Sequence, residues 1–476
     1  METLEPRTDR RSTRRDLTYF LIAVWLGLFV RVLAVVFLGD ALGKDPDAYQ
    51  QLAQRWASTS TYALAIPDAL AIPDRQTSQA DLNDRPEVYP TAFRPPLYPL
   101  ILSVPLQFGM SPQACVVSLH LILGMATCGL TYAMARYWFP PLGSLIASSL
   151  VAVDPLLVFQ SVQIMTETLA TLLGLWILLA WVRSVDQGRS LGFWWTGLIL
   201  GLAILCRPPF LLWAPCLAVL TAASTLTRPS INNRVRLAGW NVALLTVATI
   251  LVVTPWVYRN WRVFGEPHLT TTHGGYTLLL ANNSSFYDAY ERGERMGDWR
   301  AETPEFQAIL HAAYPEKVGS SEAEQARDKA YSSAAWRTMQ SRPGLFIRTS
   351  GMRLSWFWSP WPHGSLDESK SRSILRVGIG VFYGIEFGLC LIALSRFRNW
   401  SSAAQWCFFG WFFWALALSG LHAVYWSNMR MRSPLVPFLA ILTVAGASRI
   451  VDLWRGQARS TSDSLAEADH VDAGQT

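Results

Sequence analysis

Ten apolar runs, each close to the length that crosses a hydrocarbon layer, leave this chain few folds to adopt. They occupy about 17–38, 113–135, 143–158, 165–182, 192–206, 209–224, 236–256, 374–395, 403–421 and 433–451. Roughly 20 apolar residues cross a bilayer as a helix, because a helix satisfies its own backbone polar groups where water is absent. Composition agrees: 51% of the 476 residues are hydrophobic and only 16% charged, against about a quarter charged in soluble domains. The expected fold class is an all-α polytopic membrane protein of about ten transmembrane helices.

The amino terminus, METLEPRTDRRSTRRD, is basic and leads into an apolar stretch of about 22 residues. That is longer than a secretory h-region, and no small-x-small cleavage site follows it. It reads as an uncleaved first span whose Arg7, Arg10, Arg11, Arg14 and Arg15 stay in the cytoplasm. The stretch 192–224 could be one long helix. Basic flanks on both sides, with Arg207-Pro208-Pro209 at the middle, favour two short spans joined by a turn.

Every short basic loop then lies inside: Arg136, Arg183 with Arg189, Arg228 to Arg236, Arg396 with Arg398, and Arg449 with Arg455. The expected division is a cytoplasmic basic terminus (1–16), a transmembrane core (17–256) with a first extracytoplasmic loop (about 40–112), a second such loop (257–373), C-terminal helices (374–451), and a cytoplasmic, acidic, disordered tail (452–476). The two outer loops should form a small, mostly helical cap. Segment 97–110 reads as a helix lying in the interface, with a shallow hairpin as the alternative, and 345–361, mixing aromatics and Arg, as a headgroup boundary. All six cysteines fall inside apolar runs without metal-ligand or disulfide spacing, so they read as small buried hydrophobes.

Charged groups at membrane depth are costly, and here they gather at the outer ends of the spans. Asp45, Asp47 and Tyr49 follow the first span; a carboxylate at a dry boundary can act as general base, although an ordinary helix N-cap explains Asp45 as well. Arg94 sits in Phe-Arg-Pro-Pro-Leu-Tyr-Pro, suited to a lipid phosphate, since its planar fork donates several hydrogen bonds. Glu167 heads an apolar helix, where either a function or the helix dipole accounts for it. Further candidates are Arg207, Arg259, Asn260, His273, Asn282 and Asn283, the last three in loop chemistry that suits sugar hydroxyls but is common in any outer loop. His422, Arg430 and Arg432 lie before the final span, where outward Arg residues suit an anionic headgroup.

Taken in order, D-x-x-x-Y-x-x-x-A, R-P-P-L-Y-P, the T-E pair, G-L-A-x-L-x-R-P, T-P-W-x-x-R-N, N-N and R-x-R-x-P-x-x-P resemble the bacterial C-class glycosyltransferases. These include glycosyltransferase family 39 and relatives of the protein O-mannosyltransferases and lipid A aminoarabinose transferases. The resemblance runs from about residue 17 to 450. It implies a multi-pass plasma-membrane enzyme with its active site on the extracytoplasmic face. Such an enzyme would transfer a hexose or pentose from a polyprenyl-phosphate donor to a lipid, glycan or protein acceptor. Asp45 matches the family's catalytic position, although Pro46 replaces the acidic residue often found next and leaves Asp47 as a substitute. Arg94, Arg430 and Arg432 match donor-phosphate positions, with Met431 where an aromatic is common. Metal dependence varies in that superfamily, so no cofactor is assigned and a divalent metal stays open. Membrane lipid is the other expected partner, and nothing points to nucleic acid. A lipid-linked sugar flippase is the competing class, but transporters usually carry internal repeats and polar midplane helices, and this chain shows neither.

Overall fold

The computed structural model describes residues 10–65, 88–228, 233–294, 296, 299–314, 320–362 and 369–472. Helix α1 (Arg10–Leu38) ends in a 3-10 turn (Gly39–Gly43) and is followed by α2 (Tyr49–Thr59). Two short antiparallel strands, β1 (Ala63–Ala65) and β2 (Val88–Pro90), pair with Leu64 opposite Tyr89. Then come α3 (Leu97–Gln107), α4 (Pro112–Ala135), α5 (Pro141–Val153), α6 (Pro155–Gln160), α7 (Glu167–Gln187), α8 (Ser190–Cys206), α9 (Phe210–Leu226) and α10 (Arg234–Phe264). Five helices form a cap: α11 (Gly274–Ala281), α12 (Ser284–Glu291), α13 (Pro304–Ala313), α14 (Ser321–Ser341) and α15 (Pro343–Phe357). The chain returns through α16 (Lys370–Leu394), α17 (Ser402–Val424), a 3-10 turn (Met429–Leu435) and α18 (Val436–Asp472).

Seven helices among the described residues are long and apolar enough to cross a membrane. Helices α5, α8 and α9 are apolar but shorter, at 13, 17 and 17 residues. The run expected over 143–158 is cut at Asp154, whose Oδ1 accepts the Leu157 amide at 2.8 Å and starts α6 with Pro155 in its first turn. Helix α18 continues to Asp472, past the apolar stretch and into the tail whose composition suggested disorder.

Helix α7 is the hub, with 83% of its apolar window buried, against 22% for α1. A helix that is apolar all round belongs inside a bundle. Outer helices instead expose Trp25, Phe29 and Phe37 on α1 and Ile374, Val381 and Ile385 on α16, as a lipid-facing surface requires. Helices α8 and α10 pack closely because Gly197 has no side chain: a Cβ there would lie 2.2 Å from the Leu245 carbonyl oxygen. Thr249 Oγ1 reinforces the crossing by donating to the Gly197 carbonyl at 3.0 Å. All six cysteines are free, five of them buried.

The cap has its own aromatic core around Leu279, Phe286, Tyr287, Trp299 and Phe306. Arg353, inside the stretch read as a headgroup boundary, turns inward and is fully buried. It donates to the last carbonyls of two helices, Ala281 at 2.7 Å and Ala423 at 2.9 Å, so it joins the cap to α17. Those carbonyls are the ones a helix leaves unpaired at its C-terminus.

Candidate active site

Asp45 lies in the turn between α1 and α2. Ala48, in the left-handed conformation (φ 58°), breaks the chain direction, so the helix begins at Tyr49 and Asp45 precedes it. Asp45 and Tyr49 therefore do not share a helix. Instead the Asp45 carboxylate caps α2, accepting the amides of Tyr49 at 2.9 Å, Gln50 at 2.8 Å and Gln51 at 3.1 Å. Burial pushes its pKa up to about 6, with the three amides and nearby Asp47 acting as smaller influences. Oδ1 receives a single hydrogen bond, which leaves it a free lone pair for a proton.

Arg94 faces this turn. Its Nη2 meets Asp47 Oδ1 at 2.6 Å, its Nε donates to the Asp47 carbonyl at 3.2 Å, and its guanidinium lies over the Phe93 ring. Tyr62 fixes the backbone behind it by donating to the carbonyls of Arg94 at 3.0 Å and Pro95 at 3.2 Å.

Across the bundle end, Glu167 opens α7 almost fully buried. Its Oε1 lies 3.4 Å from Arg207 Nη1 and 3.0 Å from Arg430 Nε. The Arg430 contact is an ion pair without a directed hydrogen bond. Two guanidinium groups share one carboxylate, so a positive charge is left over. Tyr49 links the two halves: its phenol is pushed up mainly by burial, while Arg94 and Arg207 pull it down and Asp47 and Glu167 push it up. Asp45, Asp47, Tyr49, Arg94, Glu167, Arg207 and Arg430 thus gather at one end of the bundle. At the opposite end Arg136 pairs with Asp16 at 3.3 Å and Arg396 with Asp452 at 2.6 Å.

The remaining candidates have other partners. Arg259 donates to the Thr91 and Tyr62 carbonyls, each at 2.7 Å. Asn260 is fully buried and donates to the His268 carbonyl at 2.9 Å. Asn282, also buried, bridges the Leu278 and Val424 carbonyls, and Asn283 caps α12 through the Phe286 amide. These asparagines hold backbone together. Arg432 is buried beneath the site, donating to the Phe357 and Ser359 carbonyls and lying 4.7 Å from the Tyr383 ring centroid, so it anchors the turn that carries Arg430. His422 stacks on Phe357 and contacts the Trp426 carbonyl at 2.9 Å. His273 packs between Phe93 and Tyr276, and burial takes its pKa well below the usual value, followed by the charges of Arg94 and Arg327. Among the described residues no three His, Cys, Asp or Glu side chains converge as a metal site. Sequence reading missed Tyr62, Arg353 and Glu324, a buried cap carboxylate described below.

A family model described as dolichyl-phosphate-mannose-protein mannosyltransferase matches residues 93–256, about a third of the chain. No curated protein sequence matches. Among solved structures, the apo oligosaccharyltransferase of Archaeoglobus fulgidus superposes with TM-score 0.54 at 15% identity, over 94% of this chain and 52% of that one. The same organism's oligosaccharyltransferase AglB, in complex with an inhibitory peptide and a dolichol-phosphate, gives TM-score 0.53 at 14% identity, over 94% and 52%. This chain thus spans about half the length of the structures it matches. The fold is thus similar to that of these oligosaccharyltransferases, and the mannosyltransferase family match falls on residues 93–256 within it.

Proposed function

We propose that this protein transfers a sugar from a polyprenyl-phosphate donor to an acceptor hydroxyl, in a cavity at the bundle end that carries Asp45, Arg94 and Arg430, facing away from the cytoplasm. The observation that carries the reading is the arrangement around Glu167: two arginines on one carboxylate, with Arg94 near the Tyr49 ring and the Asp45 carboxylate capping the helix that Tyr49 opens. A surplus guanidinium charge at a dry membrane boundary attracts a phosphate. The matched family description and the archaeal complex both name dolichyl or dolichol phosphate, which supports a lipid-phosphate donor here.

In the reaction, the acceptor oxygen bonds to the anomeric carbon as the bond from that carbon to the phosphate oxygen breaks. The departing prenyl phosphate keeps the electron pair, and Asp45 takes the acceptor proton. Arg207, Arg430 and Arg94 face the charge that grows on the phosphate. Fixed donors aimed at developing charge are commonly the largest catalytic contribution, and losing one costs about 10²–10³ in rate. Glu167 holds two of these donors in place before the donor lipid arrives, which limits the reorganisation left for the reaction.

The sugar, hexose or pentose, and the acceptor class are decided by screening. Purified protein in lipid is given radiolabelled polyprenyl-phosphate sugars with candidate lipid, glycan and peptide acceptors. Release of prenyl phosphate with label moved to an acceptor supports the enzyme. Intact donor carried across the bilayer instead identifies a flippase and overturns the proposal.

A further inference from the structure

Glu324, in the first turn of α14, is 2% exposed and makes no ion pair among the described residues. A carboxylate taken out of water costs several kcal/mol unless charge-assisted hydrogen bonds compensate. Here three donors do so: the Thr91 hydroxyl at 2.6 Å, the Ala92 amide at 3.0 Å and the Thr272 hydroxyl. They come from both outer loops. Thr91 and Ala92 belong to the segment that leads directly to Arg94, and Thr272 to the strand of chain that runs into His273.

The surrounding bonds all act on the same short segment. The Thr272 amide donates to the Ala92 carbonyl at 3.0 Å, and Thr271 Oγ1 to the Phe93 carbonyl at 2.5 Å. Thr91 Oγ1 also accepts the Phe93 amide at 2.9 Å, and Arg259 holds the Thr91 carbonyl. Residues 91–93 are therefore tied on every side, and Glu324 is the one charged acceptor in the set. A capping role in α14 does not explain it, since Ser320 caps that helix through the Ala323 amide at 3.0 Å. An apolar residue would fill the space without the cost of desolvation, so the carboxylate serves the geometry of what it binds.

We infer that Glu324 is a positioning residue for the transfer reaction: it clamps Thr91 and Ala92 of the first outer loop to Thr272 of the second, and so fixes where Arg94 reaches into the site. The inference rests on the proposed function, through the role of Arg94 at the donor phosphate. It assigns the cap a task in the reaction, namely to hold a phosphate-binding arginine from behind.

The test is a double-mutant cycle on the full chain in lipid, with Glu324→Ala, Arg94→Ala and the pair, measuring kcat and KM for the polyprenyl-phosphate donor. Expected is a roughly tenfold loss of kcat/KM in Glu324→Ala and no further loss when it is added to Arg94→Ala, because coupled residues are not additive. Glu324→Gln, which keeps one accepting oxygen, recovers part of the activity and serves if the alanine variant fails to fold. Glu266→Ala, which removes an exposed partner of Lys329, leaves activity unchanged. Fully additive losses, or wild-type kinetics in Glu324→Ala, overturn the inference. Hydrogen exchange of peptides covering 88–96 gives a reading independent of turnover. Exchange there rises in Glu324→Ala while that of α12 does not; unchanged exchange at 88–96 overturns the clamp even if no sugar transfer is found.

Discussion

Asp45 caps α2 and, in the proposed reaction, also takes the acceptor proton, so its protonation state bears on both. Burial lifts its pKa to about 6, so its ionised fraction halves near that pH and falls tenfold for each unit below. The rate of transfer at saturating donor should follow this acid limb, with a midpoint near pH 6, measured as kcat against pH; a flat profile from pH 5 to 8 contradicts Asp45 as the base. The linkage to stability has the opposite direction. Because the folded state holds this proton more tightly than the unfolded chain does, Asp45 makes the fold less stable as pH rises from about 4 to about 6. Asp45, Arg94 and Glu167 were legible in the sequence because charged residues at the ends of apolar runs stand out. Glu324 and Tyr62 were not, since their partners lie 233 and 32 residues away and only the folded chain brings them together. Asn282 and Asn283 stood out in the sequence because a buried cap and a sugar ligand use the same amide chemistry.

At the scale of elements, the hydropathy pattern marked where helices lie better than where they end. Each of the ten apolar runs contains helix, but Asp154 splits one of them with a cap that composition cannot register. The cap helices α11 to α15 are too short or, in α14, too polar to read as spans, and their assembly depends on side chains that tie helix ends. Arg353 is the clearest of these. Arg353→Met keeps the bulk and removes the donors, leaving the Ala281 and Ala423 carbonyls and Asn282 Oδ1 without this partner. At about 1–3 kcal/mol for each buried acceptor left unpaired, a clear drop in thermal midpoint is expected, measured by thermal unfolding in lipid nanodiscs. An unchanged midpoint would show that the cap does not rely on this tie.

For the whole molecule, alternating helices put the acid and arginine cluster at one end and the Arg136–Asp16 and Arg396–Asp452 pairs at the other. The positive-inside pattern predicts that the second end faces the cytoplasm. In intact cells an impermeant thiol reagent should modify Thr59→Cys and Glu291→Cys, both exposed at the site end, and should spare Gln187→Cys, exposed at the opposite end. The reverse pattern would invert the topology. What the sequence could not convey at this scale is the convergence itself: Glu167 and Arg430 are far apart in the chain and 3.0 Å apart in space. The proposed reaction depends on that convergence and on Asp45 beside it. The decisive measurement is therefore Asp45→Asn in purified protein in lipid, with donor binding and sugar transfer followed on the same sample. Expected is donor binding close to wild type with transfer reduced by about 10²–10⁴-fold, the usual worth of a general base. Transfer at the wild-type rate, with folding verified, would contradict it.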